Sequence, residues 1–397
     1  MKILKLLIKL FTFRNYFYFS IIDIFFLISH EVTVRNLFQI SSNITLLKND
    51  LKNIIGYNNL DKERLPLNIE YFNPKNNFKI LSYTHPYGFN LTKFFENKKP
   101  ENISLDLDGY LPSIYIDKNN FIGFKEKQLA KFHLGEDFSI KKIWEVETQH
   151  VLHHWGSSYK NISVMPSRIF ESNNQYENLL SETICKREDI TLIDNLFVFD
   201  NYNGKVVDEI DILKSLNNYQ NFSKHHLLNC GDIIHLNDVD IITKQQSLSI
   251  PIFSEGDYLI SLAANHTLLL IDKDTHQIKW HLYGHSSQQH SPVVLENGTI
   301  LIFDNFGSDP INGRSRIIQV DPIKKLILAA FEAKDFHFET YTRGRIYISD
   351  KDFIIESSNQ GEIFSLKCKH DILIDCEYNK LMKVKVIGNG IFSSFIF

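Results

Sequence analysis

The sequence is short of several features that would assign it quickly. Four cysteines, Cys185, Cys230, Cys368 and Cys376, occur in 397 residues. Their spacing makes neither a CxxC pair nor the dense framework of a small disulfide-stapled domain, and it leaves room for one or two bridges. Only 17 Gly and 10 Pro are present, too few for a low-complexity chain. Charge of one sign is missing as well: 43 basic and 47 acidic residues are mixed along the chain to a formal net charge of -4. Without a basic field to track a phosphate backbone, nucleic acid is not an expected partner. Around its 16 histidines there is no HxH, HExxH or carboxylate spacing that would preorganise a metal site. No metal or other cofactor is implied.

The long hydrophobic run that does occur is N-terminal. Lys2, Lys5, Lys9 and Arg14 precede an apolar and aromatic stretch over 16–28, interrupted only by Ser20 and Asp23. That stretch is shorter than the roughly 20 residues that span a bilayer comfortably, and a mid-membrane Asp costs about 2.5 to 3.5 kcal/mol. No A-x-A-like small residues follow it, as a removed signal peptide requires. Residues 1–30 are therefore expected to be a hydrophobic helix serving as an anchor or signal-like segment, tilted or interfacial. A buried helix and a cleaved signal are the alternatives. With the basic residues held inside, an anchored chain faces the periplasm or exterior. Residues 31–99 are polar and Asn/Lys-rich, and read as a connector and cap with a helix over 44–55.

The 31 Phe and 17 Tyr favour strands, where aromatic rings fit a pleated surface. One pattern recurs after residue 100: an apolar run, an Asp, a few turn residues and a second apolar run. It reads SIYIDKNNFIGF, LFVFDNYNGKVVDEI, LLLIDKDTHQIKWHL, IIQVDPIKKLILAAF and, without the Asp, IFSLKCKHDILI. Each copy predicts a strand, a tight turn and a returning strand, the outer hairpin of a propeller blade. Ahead of the later copies stands a second element, as in GDYLISLA, NGTILIFDN and KDFIIESS, which brings each unit to four strands. Such units must stack on neighbours to bury both faces. A β-sandwich does not require the same hairpin five times, and β-helix repeats are much shorter. Residues 100–397 are expected to form an all-β domain, a β-propeller, which leaves fewer exposed edges than an open solenoid.

Histidines fall just before strand-forming runs at comparable places in successive repeats: His150, His153 and His154 in QHVLHHWGSS, His235 in IIHLNDVD, and His285 and His290 in YGHSSQQHSPVV. The innermost strands of a propeller line its channel, so such positions converge although distant in sequence. Convergent imidazoles suit proton transfer, nucleophilic attack or metal ligation.

At these residues the chain resembles the bacterial-type arylsulfotransferase (arylsulfate sulfotransferase) family. QHSPVVLENGTILIFDN carries the family's histidine, apolar strand, NG turn and FDN. KDTHQIKWHLYG, SRIIQVDP, IHLNDVD and FETYTRGRIYISDKDFIIESSNQGEIFSL are similar to neighbouring segments in the same order. The likeness is strong over 231–366, weaker over 150–212, and undetectable over the first hundred residues. It implies six four-stranded blades, and sulfuryl transfer from a phenolic sulfate donor to a phenolic acceptor through a sulfated histidine, with no nucleotide donor.

The matching nucleophile is His290. His235 matches a histidine that stabilises the sulfuryl group or protonates the departing phenolate, and His154 or His153 occupies a comparable place in an earlier blade. His153, Asn237 and Trp155 are the expected substrate-binding residues. One departure stands out: where the family carries an active-site Arg, this sequence places Ala263. Arg168 is the expected substitute, with Arg343 and Arg345 less conveniently placed. Asp238 and Asp304 are expected to be scaffold, Asp272 and Asp321 hairpin-turn residues, and His225, His226, His266 and His285 structural or exposed. The loss of the Arg is consistent with an alternative, a catalytically inactive ligand-binding or scaffold propeller. Sending the sulfuryl group to water is a third use of the same histidines.

Overall fold

The computed structural model describes residues 107–384 apart from short breaks, the longest at 172–190, and the backbone of strands at 69–72, 80–85, 89–93, 101–105 and 391–396. The expected anchor at 1–30, the helix expected over 44–55, Cys185, Cys230, His225 and His226 lie outside these residues. No helix among the described residues is long and apolar enough to cross a membrane.

The strands join in sequence order into antiparallel sheets, and the fold is an all-β propeller. Five sheets carry described side chains, against the six blades expected. The first holds Leu111–Asp117, Asn120–Lys125, Gln128–Leu134 and Ile140–Glu147; the second holds Ser157–Tyr159, Ile162–Glu171, Thr191–Asp200 and Val206–Asp211, with Val151–Leu152 beside it. Then come Leu236–Ile241, Tyr258–Leu262, Thr267–Ile271 and Ile278–Tyr283, followed by His290–Val294, Ile300–Asp309, Arg314–Asp321 and Leu326–Phe331. The fifth holds Arg345–Ser349, Asp352–Ser357, Glu362–Lys367 and Glu377–Val384, and Ile69–Phe72 pairs with the last of these strands. A further four-stranded sheet, described by its backbone alone, places Ile391–Ile396 against Ile80–His85, followed by Phe89–Lys93 and Glu101–Leu105. Strands near both ends of the sequence thus share sheets. Sheet-forming chain begins at Ile69, inside the stretch read as a connector and cap.

Burial follows from stacking. The middle strands Tyr258–Leu262 and Thr267–Ile271 are buried at every position, because a neighbouring blade covers each face. That is why they read as unbroken apolar runs such as LLLI rather than as alternation. The fourth strand, Ile278–Tyr283, alternates, and Leu326–Phe331 is largely exposed. Between the second and third blades Val164, Leu196 and Ile210 pack with Val239, Ile260 and Leu269. Each fully buried aliphatic side chain of this kind stabilises the fold by about 1.5–3 kcal/mol.

The recurring Asp does the expected work at three outer hairpins. A carboxylate oxygen of Asp200 accepts the N–H groups of Tyr202 and Asn203, Asp272 those of Asp274 and Thr275, and Asp321 those of Ile323 and Lys324. Asp117 makes the same turn, but between the first and second strands of its blade, so the first copy is an inner hairpin. The copy without Asp has a longer loop, closed by a Cys368–Cys376 disulfide.

The first strand of each blade packs beside the first strand of the next, from Leu111–Asp117 through Ser157–Tyr159, Leu236–Ile241 and His290–Val294 to Arg345–Ser349. Side chains at the starts of these strands are thereby brought together.

Candidate active site

Four of those strand starts carry the charged and nucleophilic groups: His153 and His154, His235, His290, and Arg343. The backbone is left-handed at His154 (φ 56°), His235 (φ 44°), Ser291 (φ 47°) and Arg343 (φ 64°). A non-glycine residue so held costs roughly 1–3 kcal/mol, a strain that concentrates at functional sites. Gly344 follows at φ 101°, and a Cβ there would stand 2.7 Å from the Phe303 ring, so the turn carrying Arg343 requires glycine at that point. The His154 ring meets His235 edge to face with centroids 5.2 Å apart, and His153 at 4.9 Å.

His290 is 5% exposed and rigidly set. Asp304 accepts the N–H of Ser287 at 2.7 Å and Asp238 that of Ser291 at 2.9 Å, so two carboxylates hold the turn. His266 accepts the N–H of Gln288 at 3.0 Å, and the Gln289 amide donates to Ser261 Oγ and to the Leu262 and Thr267 carbonyls, each at 3.1 Å. Asn305 fixes the imidazole. Its Nδ2 donates to the Thr340 and Arg343 carbonyls at 2.6 and 2.8 Å, which leaves Oδ1 to accept from His290 Nδ1 at 2.9 Å. The Gln288 carbonyl, 3.1 Å away, is a second acceptor for the same N–H. The network therefore assigns the proton to Nδ1 and the lone pair to Nε2, where the Arg343 backbone N–H donates over a long 3.2 Å. Burial, with the nearby His235 and Arg343 charges, pushes this imidazole down to about 4 despite Asn305 and Gln288. It is neutral at pH 7.

Behind the other histidines stands Arg168. It lies opposite Asp194 on the adjacent strand and donates to it from Nε at 2.6 Å and from Nη2 at 3.0 Å; Nη2 also reaches Asp232 at 3.0 and 3.1 Å. Asp232 accepts from His235 Nδ1, and Asp194 accepts the Leu236 N–H at 2.7 Å. His153 Nε2 is 3.1 Å from Asp194 Oδ1, within ion-pair reach though off the line of a straight hydrogen bond, and His153 Nδ1 is 2.6 Å from His154 Nδ1. Burial opposes the charge on Asp194, but His153 and Arg168 hold its carboxyl well below the usual range. Burial alone would lower His235; the Asp232 carboxylate prevails and raises it. Burial and the charges of His153, His235, His290 and Arg343 hold His154 far below an ordinary imidazole. One site thus contains a neutral imidazole whose Nε2 lone pair is held only by a long Arg343 N–H contact and a second imidazole biased towards its cation.

Of the expected site residues, His153, His154, His235 and His290 come together. Arg168 is adjacent but committed to two carboxylates, and Arg343 is the cation whose charge bears on both His154 and His290. Asn237 is fully buried and donates to the Gln289 carbonyl at 2.7 Å, which supports the His290 turn. Trp155 is 3% exposed in a core with Leu107, Tyr110 and Phe132, under the Arg345 guanidinium at 4.1 Å. Neither side chain faces an open site. Ala263 begins a buried 3-10 turn and donates its N–H to the His235 carbonyl at 3.0 Å. His285 bridges the Tyr283 and Lys325 carbonyls.

Three participants escaped the sequence reading: Asp194, Asp232 and Asn305. Asp194 interrupts the apolar run TLIDNLFVF, and a carboxylate inside a buried strand has to be paired; that interruption was the available signal. Among the described residues no group of three or more His, Cys, Asp or Glu side chains is arranged to hold a metal ion. A polar cleft lined by Glu209, Lys214, Tyr219 and His276 lies at the outer strands and includes none of these residues.

The arylsulfotransferase (ASST) family matches residues 167–378, just over half of the chain. No curated protein matches the sequence. Solved structures similar to it include a functionally unknown protein from Desulfotomaculum acetoxidans, at 12% identity and TM-score 0.44 over 77% of this chain and 79% of that one. A protein of unknown function from Bacteroides caccae is 9% identical, with TM-score 0.48 over 81% and 99%. Citrobacter koseri AztD is 12% identical, with TM-score 0.37 over 84% and 90%.

Proposed function

This chain belongs to the arylsulfotransferase family, and from that premise we propose that it moves a sulfuryl group from a phenolic sulfate ester to a phenol through a sulfohistidine at His290. The observation that carries the reading is the pair of acceptors at His290 Nδ1, Asn305 Oδ1 and the Gln288 carbonyl, which assigns the N–H to Nδ1 and the lone pair to Nε2.

In the first displacement the Nε2 pair forms an N–S bond, the S–O bond to the phenol breaks, and the departing oxygen takes the proton of His235. The carbonyl oxygens at Nδ1–H stabilise the positive charge that builds on the sulfated ring. The long Arg343 N–H contact must yield as Nε2 attacks. In the second displacement an acceptor phenol oxygen attacks sulfur, and the N–S pair returns to His290.

Arg343 takes the part of the cation that Ala263 does not supply, drawing the sulfuryl oxygens, while Arg168 stays with its carboxylates. The basic-then-apolar segment at 1–30 supports a propeller anchored at a membrane and facing the periplasm or exterior.

The test is incubation of the purified chain with an aryl sulfate, with and without excess phenol, beside His290→Ala, followed by intact-mass measurement. A His290-dependent sulfate adduct, discharged by the phenol, is expected. A folded chain with neither adduct nor phenol release would leave the ligand-binding propeller, with which Ala263 is consistent, as the reading.

A further inference from the structure

Six residues around the site form a closed loop of contacts: Asp194, His153, His154, His235, Asp232 and Arg168, which returns to Asp194. Two carboxylates and one guanidinium leave it one net negative charge, which a single imidazolium cancels. The loop therefore favours one proton shared among three imidazoles, and the hydrogen bond to Asp232 favours His235 as its holder.

The tautomers follow from the partners. The Asp194 carboxylate 3.1 Å from His153 Nε2 favours the N–H of His153 on that nitrogen by charge, which leaves its Nδ1 lone pair to accept from His154 Nδ1–H. His154 then carries its own lone pair on Nε2. Taken alone that nitrogen is a poor base, because burial and the surrounding charges disfavour an imidazolium there. A relay removes the difficulty: as His154 Nε2 gains a proton, its Nδ1 proton passes to His153, and the charge settles beside the buried Asp194 carboxylate.

We propose that Asp194 and His153 are positioning residues that make His154 the base for the acceptor half of the reaction, while His235 is the acid for the donor half. The proposal rests on the sulfuryl-transfer reading above. When the donor phenolate leaves with the His235 proton, the loop is one proton short. The acceptor phenol then gives its O–H proton to His154 Nε2 as its oxygen attacks sulfur, the N–S bond of His290 breaks, and its pair returns to Nε2. The loop is again neutral, and its proton passes back to His235 before the next turnover. Dividing acid and base between two imidazoles lets one site handle a leaving phenolate and an entering phenol in turn.

The test separates the halves. Rapid-quench mixing with an aryl sulfate reads the burst of phenol release, and steady-state turnover under acceptor-limiting conditions reads the second half. His153→Ala and Asp194→Asn should slow the acceptor half on the order of 10²-fold, at least tenfold more than they slow the burst. The deficit should shrink as the acceptor phenol is made more acidic, since an acidic phenol needs no base. His153→Gln keeps volume and one hydrogen-bonding end but cannot relay; it should show the same split, and serves if the other variants do not fold. Burst and turnover falling together, or a deficit indifferent to acceptor acidity, would overturn the relay alone. A wild-type chain with no burst would overturn the relay and the sulfuryl-transfer reading together.

Discussion

Asp232 accepts a hydrogen bond from His235 Nδ1, and that one contact reverses what burial would do to the imidazole, raising it above its ordinary value. With His290 pushed down to about 4, the donor half should gain rate as pH rises through about 4, where Nε2 loses its proton. It should lose rate again above the raised value of His235, where the acid is spent. Asp232→Asn removes the charge that holds the proton, so the upper limb should move to lower pH while the lower limb stays. The pH dependence of the burst rate checks this, and an unmoved upper limb would remove His235 from the acid's role.

Arg168 should prove to be a stability residue. Asp194 is fully buried and Asp232 largely so, and the guanidinium is what balances them. Arg168→Met leaves two carboxylates facing each other with little solvent, a loss of about 3–5 kcal/mol. Urea denaturation should show it as a lowered midpoint with an unchanged slope. A midpoint within experimental error of wild type would show that the pairs are not what holds these strands.

The blade pattern was legible in the sequence because strand, Asp turn and returning strand are local chemistry: Asp200, Asp272 and Asp321 bind the turn amides two and three residues on. His290, His235 and His154 were legible because each precedes the first strand of a blade, and the fold brings those places together. Arg168 and Trp155 have partners the sequence did not show, for one shared reason. A charge or a ring close to a channel in sequence says nothing of its partners, and the partners are Asp194 and Asp232 in one case and a buried core in the other. The start of the sheet-forming chain at Ile69 was hidden because strands at 69–72 and 80–85 pair with sequence some three hundred residues away. Only the closing of the ring reveals such pairing.

Arg343→Ala should cost catalysis, because its charge bears on both His154 and His290. Removing one preorganised donor to a transferring anion lowers rate by roughly 10²–10³-fold. The same change takes a positive charge away from His290, so the lower limb of the pH profile should move up. Arg343→Lys should recover part of the rate but not a bidentate grip. Steady-state kinetics beside thermal melting settles the matter. A variant that retains wild-type turnover would return the search for the cation to Arg345.

The Cys368–Cys376 disulfide offers a stability test that leaves the chemistry alone. It closes the loop between the third and fourth strands of its blade, where three of the other blades carry an Asp turn, and the two cysteines are eight positions apart. Constraining so short a loop in the unfolded chain is worth about 2–3 kcal/mol on the chain-entropy account. The third and fourth strands lie at the outer side of the sheet order, whereas every histidine of the site stands at the start of a first strand. Reduction, or the Cys368→Ser, Cys376→Ser double variant, should therefore lower the denaturation midpoint by that amount and leave the sulfate adduct on His290 forming at its wild-type rate. Loss of adduct formation in a protein that remains folded would mean that this outer loop bears on the strand starts, and that the blade transmits strain from its rim to the site.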